Sequence, residues 1–151
     1  MVKIHTRRFQ KEVYDRVDGP SKKALIKILE EDGHTIVTSE ESYDVDVVSQ
    51  KDGVTYYNEA EQKPQWKRDW PVWWEEVRIP GRKRRLVQKY QDNLDNLYFY
   101  VFNKTYDRAW KIKGTQMIDS SLKEASGPKH KIPEGETFYH IPYPEAELVT
   151  V

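Results

Sequence analysis

Cysteine is absent from the 151 residues, which excludes disulfides, thiolate nucleophiles and thiolate-held zinc; any metal has to be held by oxygen or by imidazole. Long apolar runs are missing too. Only 37% of residues are hydrophobic, no window approaches the length of a membrane span, and residues 1–11 carry basic side chains without the apolar stretch of a signal peptide. The chain therefore reads as intracellular, cytoplasmic and soluble, with no membrane partner. A charge excess is the third absence. Lys+Arg and Asp+Glu number 25 each, so only local clusters can indicate a polyanion partner. The four histidines, His5, His34, His130 and His140, lack metal-ligand spacing, and no Ser-His-Asp pattern, phosphate loop or dinucleotide-binding glycine signature occurs.

Aromatic and charged residues are what the chain has in quantity, 13% and 33%. That composition is globular, with a core leaning on Tyr and Trp, and the length suits a single domain spanning residues 1–151. Ser21 as a cap, apolar residues at 25, 26, 28 and 29, and Gly33 as a stop predict an amphipathic helix over 21–33. A β-branched run predicts a strand at 34–38. Alternation around Val45 and Val47 predicts another at 43–49, and Lys51-Asp52-Gly53 turns it into a third at 54–62.

Residues 64–80 read as an irregular, Trp-rich loop bounded by prolines. Helical composition returns at 82–94, an aromatic strand follows at 97–102, and a strand at 108–112 after the turn at 103–107. A weak helix is expected at 114–124, with strands at 137–141 and 148–151. Helix, three strands, helix and further strands make an α/β protein with a central mixed sheet flanked by helices. The helix after strand three lets strand four return parallel, whereas the hairpin is antiparallel.

Period-two alternation sets Tyr57, Glu59, Glu61 and Lys63 on one face of the third strand, with neighbours about 7 Å apart. Asp44 and Asp46 share a face of the second strand, and a hairpin in suitable register brings Asp46 beside Glu61. Paired carboxylates of this kind suit Mg²⁺, with Mn²⁺ as an alternative. A lysine two residues past the glutamate can orient or deprotonate a water, or stabilise charge on a phosphate. The plainer alternative is a solvated hairpin face whose cross-strand pairs contribute little.

Asp46 and Glu61-Gln62-Lys63, in this element order, resemble the PD-(D/E)XK nuclease superfamily, over roughly residues 21–102, and in particular its small phage or resolvase-type members. The resemblance implies a restriction-endonuclease-like αβββαβ core with extra C-terminal strands, and hydrolysis of DNA, with branched or structured DNA among the substrates. It carries over Asp46 and Glu61 as metal ligands, Glu59 as a further acid, and Lys63 beside the attacking water. A homodimer is implied in the same way. Two features depart from the family pattern. Its Pro-Asp is Val45-Asp46 here, and Ser21-Lys22-Lys23 offers no early helical Glu, for which Glu12, Asp18 or Glu59 are the substitutes.

Trp66, Trp70, Trp73 and Trp74 fall within nine residues, interleaved with Lys67, Arg68 and Asp69. Most are expected to pack or to join a dimer interface, with Trp70 also a candidate for base contact. Arg78, Arg82, Lys83, Arg84 and Arg85 give five cations in eight residues. They read as a DNA-backbone contact at a helix start, or else as a solvated helix face. Two rivals to a nuclease remain: a non-catalytic nucleic-acid-binding module, and a partner-binding protein that uses the Trp-rich loop.

Overall fold

The computed structural model describes residues 11–38, 45–71, 73–124 and 136–151, with side chains from Gly19 onward except at 38, 120 and 124. Helix α1 spans Lys11–Glu31, beginning ten residues before the expected start. Ser21 is therefore not a cap but a buried residue inside the helix. Pro20 lacks a donor N–H, yet the apolar face of Ala24, Leu25, Ile28 and Leu29 continues beyond it and is buried. Each fully buried leucine contributes roughly 1.5–3 kcal/mol relative to exposure. Gly33, at φ 87°, ends the helix in the left-handed region. Its N–H donates to the Glu30 carbonyl, and the N–H of His34 donates to that of Leu29, a left-handed cap of the kind glycine permits.

Strands β1 (Thr35–Thr38), β2 (Val47–Lys51), β3 (Val54–Gln62), β5 (Leu97–Phe102), β6 (Arg108–Lys113) and β9 (Glu147–Thr150) form a six-stranded sheet in the order β1-β2-β3-β5-β6-β9. Asp52 and Gly53 both have positive φ, 50° and 78°. The two-residue turn they form matches strand twist and pairs Lys51 with Val54 and Val47 with Asn58. The β3–β5 pair is parallel and the other pairs are antiparallel, as the sequence order required of a crossover connection. The second strand begins at Val47 rather than at 43, whose surroundings lie outside the described residues, as does Asp44.

The segment read as an irregular loop contains strand β4 (Glu76–Pro80), which joins β8 (Thr137–Pro142) and β7 (Leu122–Glu124) in a second sheet, β4-β8-β7. Val77 and Ile79 alternate inward and are fully buried. The flanking prolines misdirect, because Pro80 closes the strand instead of breaking it. The helix expected at 82–94 is shorter. Helix α2 covers Arg84–Lys89, between 3-10 turns at Gly81–Lys83 and Gln91–Asn96, and Asn93 leaves helical geometry at φ −137°. The helix expected at 114–124 is instead two 3-10 turns followed by β7. A side chain at Gly114 would stand 2.8 Å from the Leu94 carbonyl oxygen, so a tight approach of the chain takes precedence there.

The fold is mixed α/β in three layers. Helix α1 covers one face of the main sheet, packing Leu25 and Leu29 with Val47, Ala60, Tyr100 and Phe102. On the other face, Val48, Phe99, Val101 and Ile112 pack with Val77, Ile79, Tyr139 and Leu86 from the small sheet and α2. Strand β5 is buried on both faces, which explains its nearly continuous apolar sequence. Among the described residues no helix is long and apolar enough to cross a membrane.

His34 sits where α1 hands over to β1. Its Nδ1 lies 2.9 Å from the Ser49 hydroxyl and its Nε2 lies 3.4 Å from Asp32. Burial holds the imidazole below its ordinary value of 6.5, against the opposing pull of Asp32. Above about pH 6.5 both folded and unfolded chains carry it neutral, and it has no effect on the pH profile. Below that pH the unfolded chain takes the proton first, so stability falls until the folded group also titrates, and the loss persists below that point. His34→Gln is therefore expected to flatten the fall in urea-unfolding stability between about pH 7 and about pH 5. An unchanged slope would overturn this assignment. Ser49 is fully buried, so the Asp32–His34–Ser49 chain offers no accessible nucleophile.

Candidate functional site

Strand β3 presents Tyr57, Glu59 and Glu61 to the small sheet, and Asn58 and Ala60 to α1. Antiparallel pairing keeps opposed residues on one face, and Tyr57 opposes Val48. Extended by one pair past Val47↔Asn58, the register aligns Asp46 with Glu59, rather than with Glu61 as the sequence suggested. Two hydrogen bonds lock this arrangement. The Asp46 N–H donates to Glu59 Oε1 at 3.1 Å, and the Ala60 N–H donates to Asp46 Oδ2 at 2.8 Å.

Lys83 completes the cluster from another element. The turn at Gly81–Lys83 follows β4 directly, and a side chain at Gly81 would stand 2.8 Å from the Thr137 carbonyl oxygen. The turn can therefore lie flush against β8. From there the Lys83 ammonium reaches between the two glutamates, 2.5 Å from Glu59 Oε2 and 2.7 Å from Glu61 Oε1. Lys83 is only 7% exposed and Glu59 4%. Arg82 Nη2 adds a contact to Glu61 Oε1 at 3.2 Å from the exposed side.

Burial and the neighbouring Asp46 carboxylate push Glu59 up to about 7, against the pull of Lys83. Burial acts to lower the Lys83 ammonium, but the two glutamates outweigh it and hold the group above the ordinary lysine range. Lys63, just past the end of β3, is lowered by burial and by Arg78. Its N–H donates to the Phe102 carbonyl at 2.8 Å, and its ammonium lies 5.0 Å from the centre of the Trp74 ring. Asp46, Glu59 and Glu61 are thus brought together, with Lys63 beyond them on the Trp74 face.

The cations grouped in the sequence are dispersed. Lys83 turns inward, Arg82 binds Glu61, and Arg84 lies 3.4 Å from Asp119. Arg85, Lys67 and Arg68 are exposed, and Arg78 is half-buried on β4. Trp70 is packed rather than free. Its ring meets Trp66, Trp74 and Trp110 edge-on at 5.2, 5.1 and 5.5 Å, and its Nε1–H donates to the Trp74 carbonyl at 2.7 Å. Trp73, in contrast, is 75% exposed. On the outer face of the small sheet, His140 Nδ1 lies 2.7 Å from Glu76 Oε2.

Sequence reasoning missed the inward turn of Lys83. Nothing in the spacing of Arg82-Lys83-Arg84-Arg85 separates one lysine from its neighbours, because its partners lie more than 20 residues away. Sequence reasoning also set Asp46 beside Glu61, whereas the two-residue turn at Asp52-Gly53 fixes a register that aligns Asp46 with Glu59.

No protein-family model and no curated protein sequence matches the chain.

Proposed function

We propose that the protein is a Mg²⁺-dependent endonuclease that hydrolyses phosphodiester bonds in DNA, with Mn²⁺ as an alternative ion. The observation that carries this reading is the convergence of Glu59 Oε2 and Glu61 Oε1 on one cation position, with Asp46 hydrogen-bonded alongside. All-oxygen donors fit a hard divalent ion, which is usually held by one or two carboxylates together with substrate phosphate. When bound, such an ion polarises the phosphate and supplies an activated water. Lys63, lowered by burial and by Arg78, is suited to exchange a proton with that water or to stabilise charge on the phosphate. Arg82 at the rim, with exposed Arg85, Lys67 and Arg68, supplies contacts for the DNA backbone. The β2–β3 hairpin and the crossover into parallel β5 also agree with a restriction-endonuclease-like core, and exposed Trp73 suits a homodimer contact.

The test is cleavage of labelled linear, single-stranded, flapped and four-way DNA in Mg²⁺ or Mn²⁺, comparing the wild type with Lys63→Ala. Metal-dependent cleavage that the variant loses is the expected result. Silence across the panel overturns the reading. One observation favours a second reading, a non-catalytic nucleic-acid-binding module: the cation position is filled by the chain's own lysine. That alternative predicts DNA binding that is independent of metal and steeply weakened by salt.

A further inference from the structure

A buried lysine between two glutamates occupies the position that a divalent ion would need. The Lys83 ammonium is 2.5 and 2.7 Å from the two carboxylate oxygens, so both oxygens already converge on one cation; Mg²⁺ would draw them closer, to about 2.1 Å. Two cations cannot share that space. Their repulsion in a poorly solvated site is large, and Glu59 and Lys83 have little water access to screen it.

The carboxylates are already engaged by the chain's own cations: Lys83 lies between Glu59 and Glu61, and Arg82 contacts Glu61. The turn that bears Lys83 is pinned by the close approach of Gly81 to Thr137, so departure of the ammonium has to come from rotation of its side chain rather than from movement of the backbone. The open side is at Glu61, whose side chain is 21% exposed and beside which Arg82 is 65% exposed.

We propose that the Lys83 ammonium is the resident cation of this site, and that a divalent ion enters between Glu59 and Glu61 only by displacing it towards the Glu61 side. This rests on the reading of those glutamates as metal ligands. Its consequence is a site held closed until the divalent ion is abundant enough to compete, so that the lysine sets the metal concentration at which the site fills.

Two measurements test it on the full chain. The first is equilibrium Mn²⁺ binding, followed by the paramagnetic resonance of free Mn²⁺, for the wild type, Lys83→Met and Lys83→Met/Glu61→Gln. Lys83→Met is expected to bind at least ~10-fold more tightly than the wild type, and the double variant to lose that gain. Equal or weaker binding by Lys83→Met, or no binding by either, overturns the proposal. The second needs no variant: acetylation of Lys83 by acetic anhydride, read by mass spectrometry. Lys83 is expected to be protected without metal and labelled severalfold faster at saturating Mn²⁺, while exposed Lys67 is unchanged. Protection unaffected by bound Mn²⁺ overturns the proposal even if the Met variant fails to fold. Displacement without any DNA cleavage would leave this inference standing and remove the nuclease reading; metal-dependent cleavage with Lys83 still protected would do the reverse.

Discussion

Glu61→Gln is expected to abolish metal-dependent cleavage of DNA, by on the order of 10³-fold, while the chain remains folded. Glu61 is the carboxylate at the open side of the cluster, 21% exposed at its side chain and touched by both Lys83 and Arg82. A neutral amide keeps the shape and one acceptor oxygen but removes the charge that would hold a hard divalent ion. The stability cost is smaller. Lys83 keeps its shorter contact to Glu59, so what is weakened is the charge-assisted bond from Lys83 to Glu61, roughly 1–3 kcal/mol, and the exposed contact from Arg82, which contributes little. The measurement is cleavage rate against Mg²⁺ concentration, with far-ultraviolet circular dichroism and urea unfolding on the same samples. Cleavage that survives in Glu61→Gln at near wild-type rate would remove Glu61 from the metal site and, with it, the mechanism proposed here.

The largest effect on stability is expected at Trp66. Its side chain is 1% exposed, it meets Trp70 edge-on at 5.2 Å and stacks with Trp110 at 6.1 Å. Its backbone ties two loops together, the N–H donating to the Lys63 carbonyl and the carbonyl accepting from the Lys104 N–H. Trp66→Ala leaves a cavity where three indoles met and is expected to cost about 3–5 kcal/mol, enough to lower Tm by roughly 10 °C in a chain of this size. Trp73→Ala, by contrast, removes an exposed ring and is expected to change stability by no more than about 0.5 kcal/mol. Thermal and urea unfolding of the two variants side by side decides the matter. Similar losses for both would mean that Trp73 is also packed in solution, as in a dimer, and sedimentation would then show it.

Sequence reading succeeded where the signal was local. The Asp52-Gly53 turn, the stop at Gly33 and the aromatic run at 97–102 each encode an element within a few residues, and each was found where expected. The parallel return of β5 beside β3 also followed from element order, since a strand separated by a crossover has the reach to come back in the same direction. Failure came where a local rule met a competing contact. Ser21 suggested a helix start, but α1 begins at Lys11 and Ser21 is buried inside it. Prolines at 64, 71 and 80 suggested a loop, but Val77 and Ile79 are buried deeply enough to make β4 worthwhile. Glu59, Glu61 and Lys63 also read as a solvated hairpin face, but α1 covers one face of β3 and the small sheet the other, so Glu59 is buried.

The sequence by itself determined the β2–β3 hairpin and the common face of Glu59 and Glu61 on β3, while it set Asp46 beside Glu61 where the structure sets it beside Glu59. Period-two alternation and hairpin closure are properties of the backbone, legible wherever the turn chemistry is plain. Only the tertiary structure decided that Lys83 leaves a run of surface cations to lie between Glu59 and Glu61. That outcome depends on β4 pairing with β8, and on the Gly81 turn lying flush against Thr137. A charge run carries no record of which member is desolvated, because burial is a property of what packs over a residue and not of the residue or its neighbours in the chain.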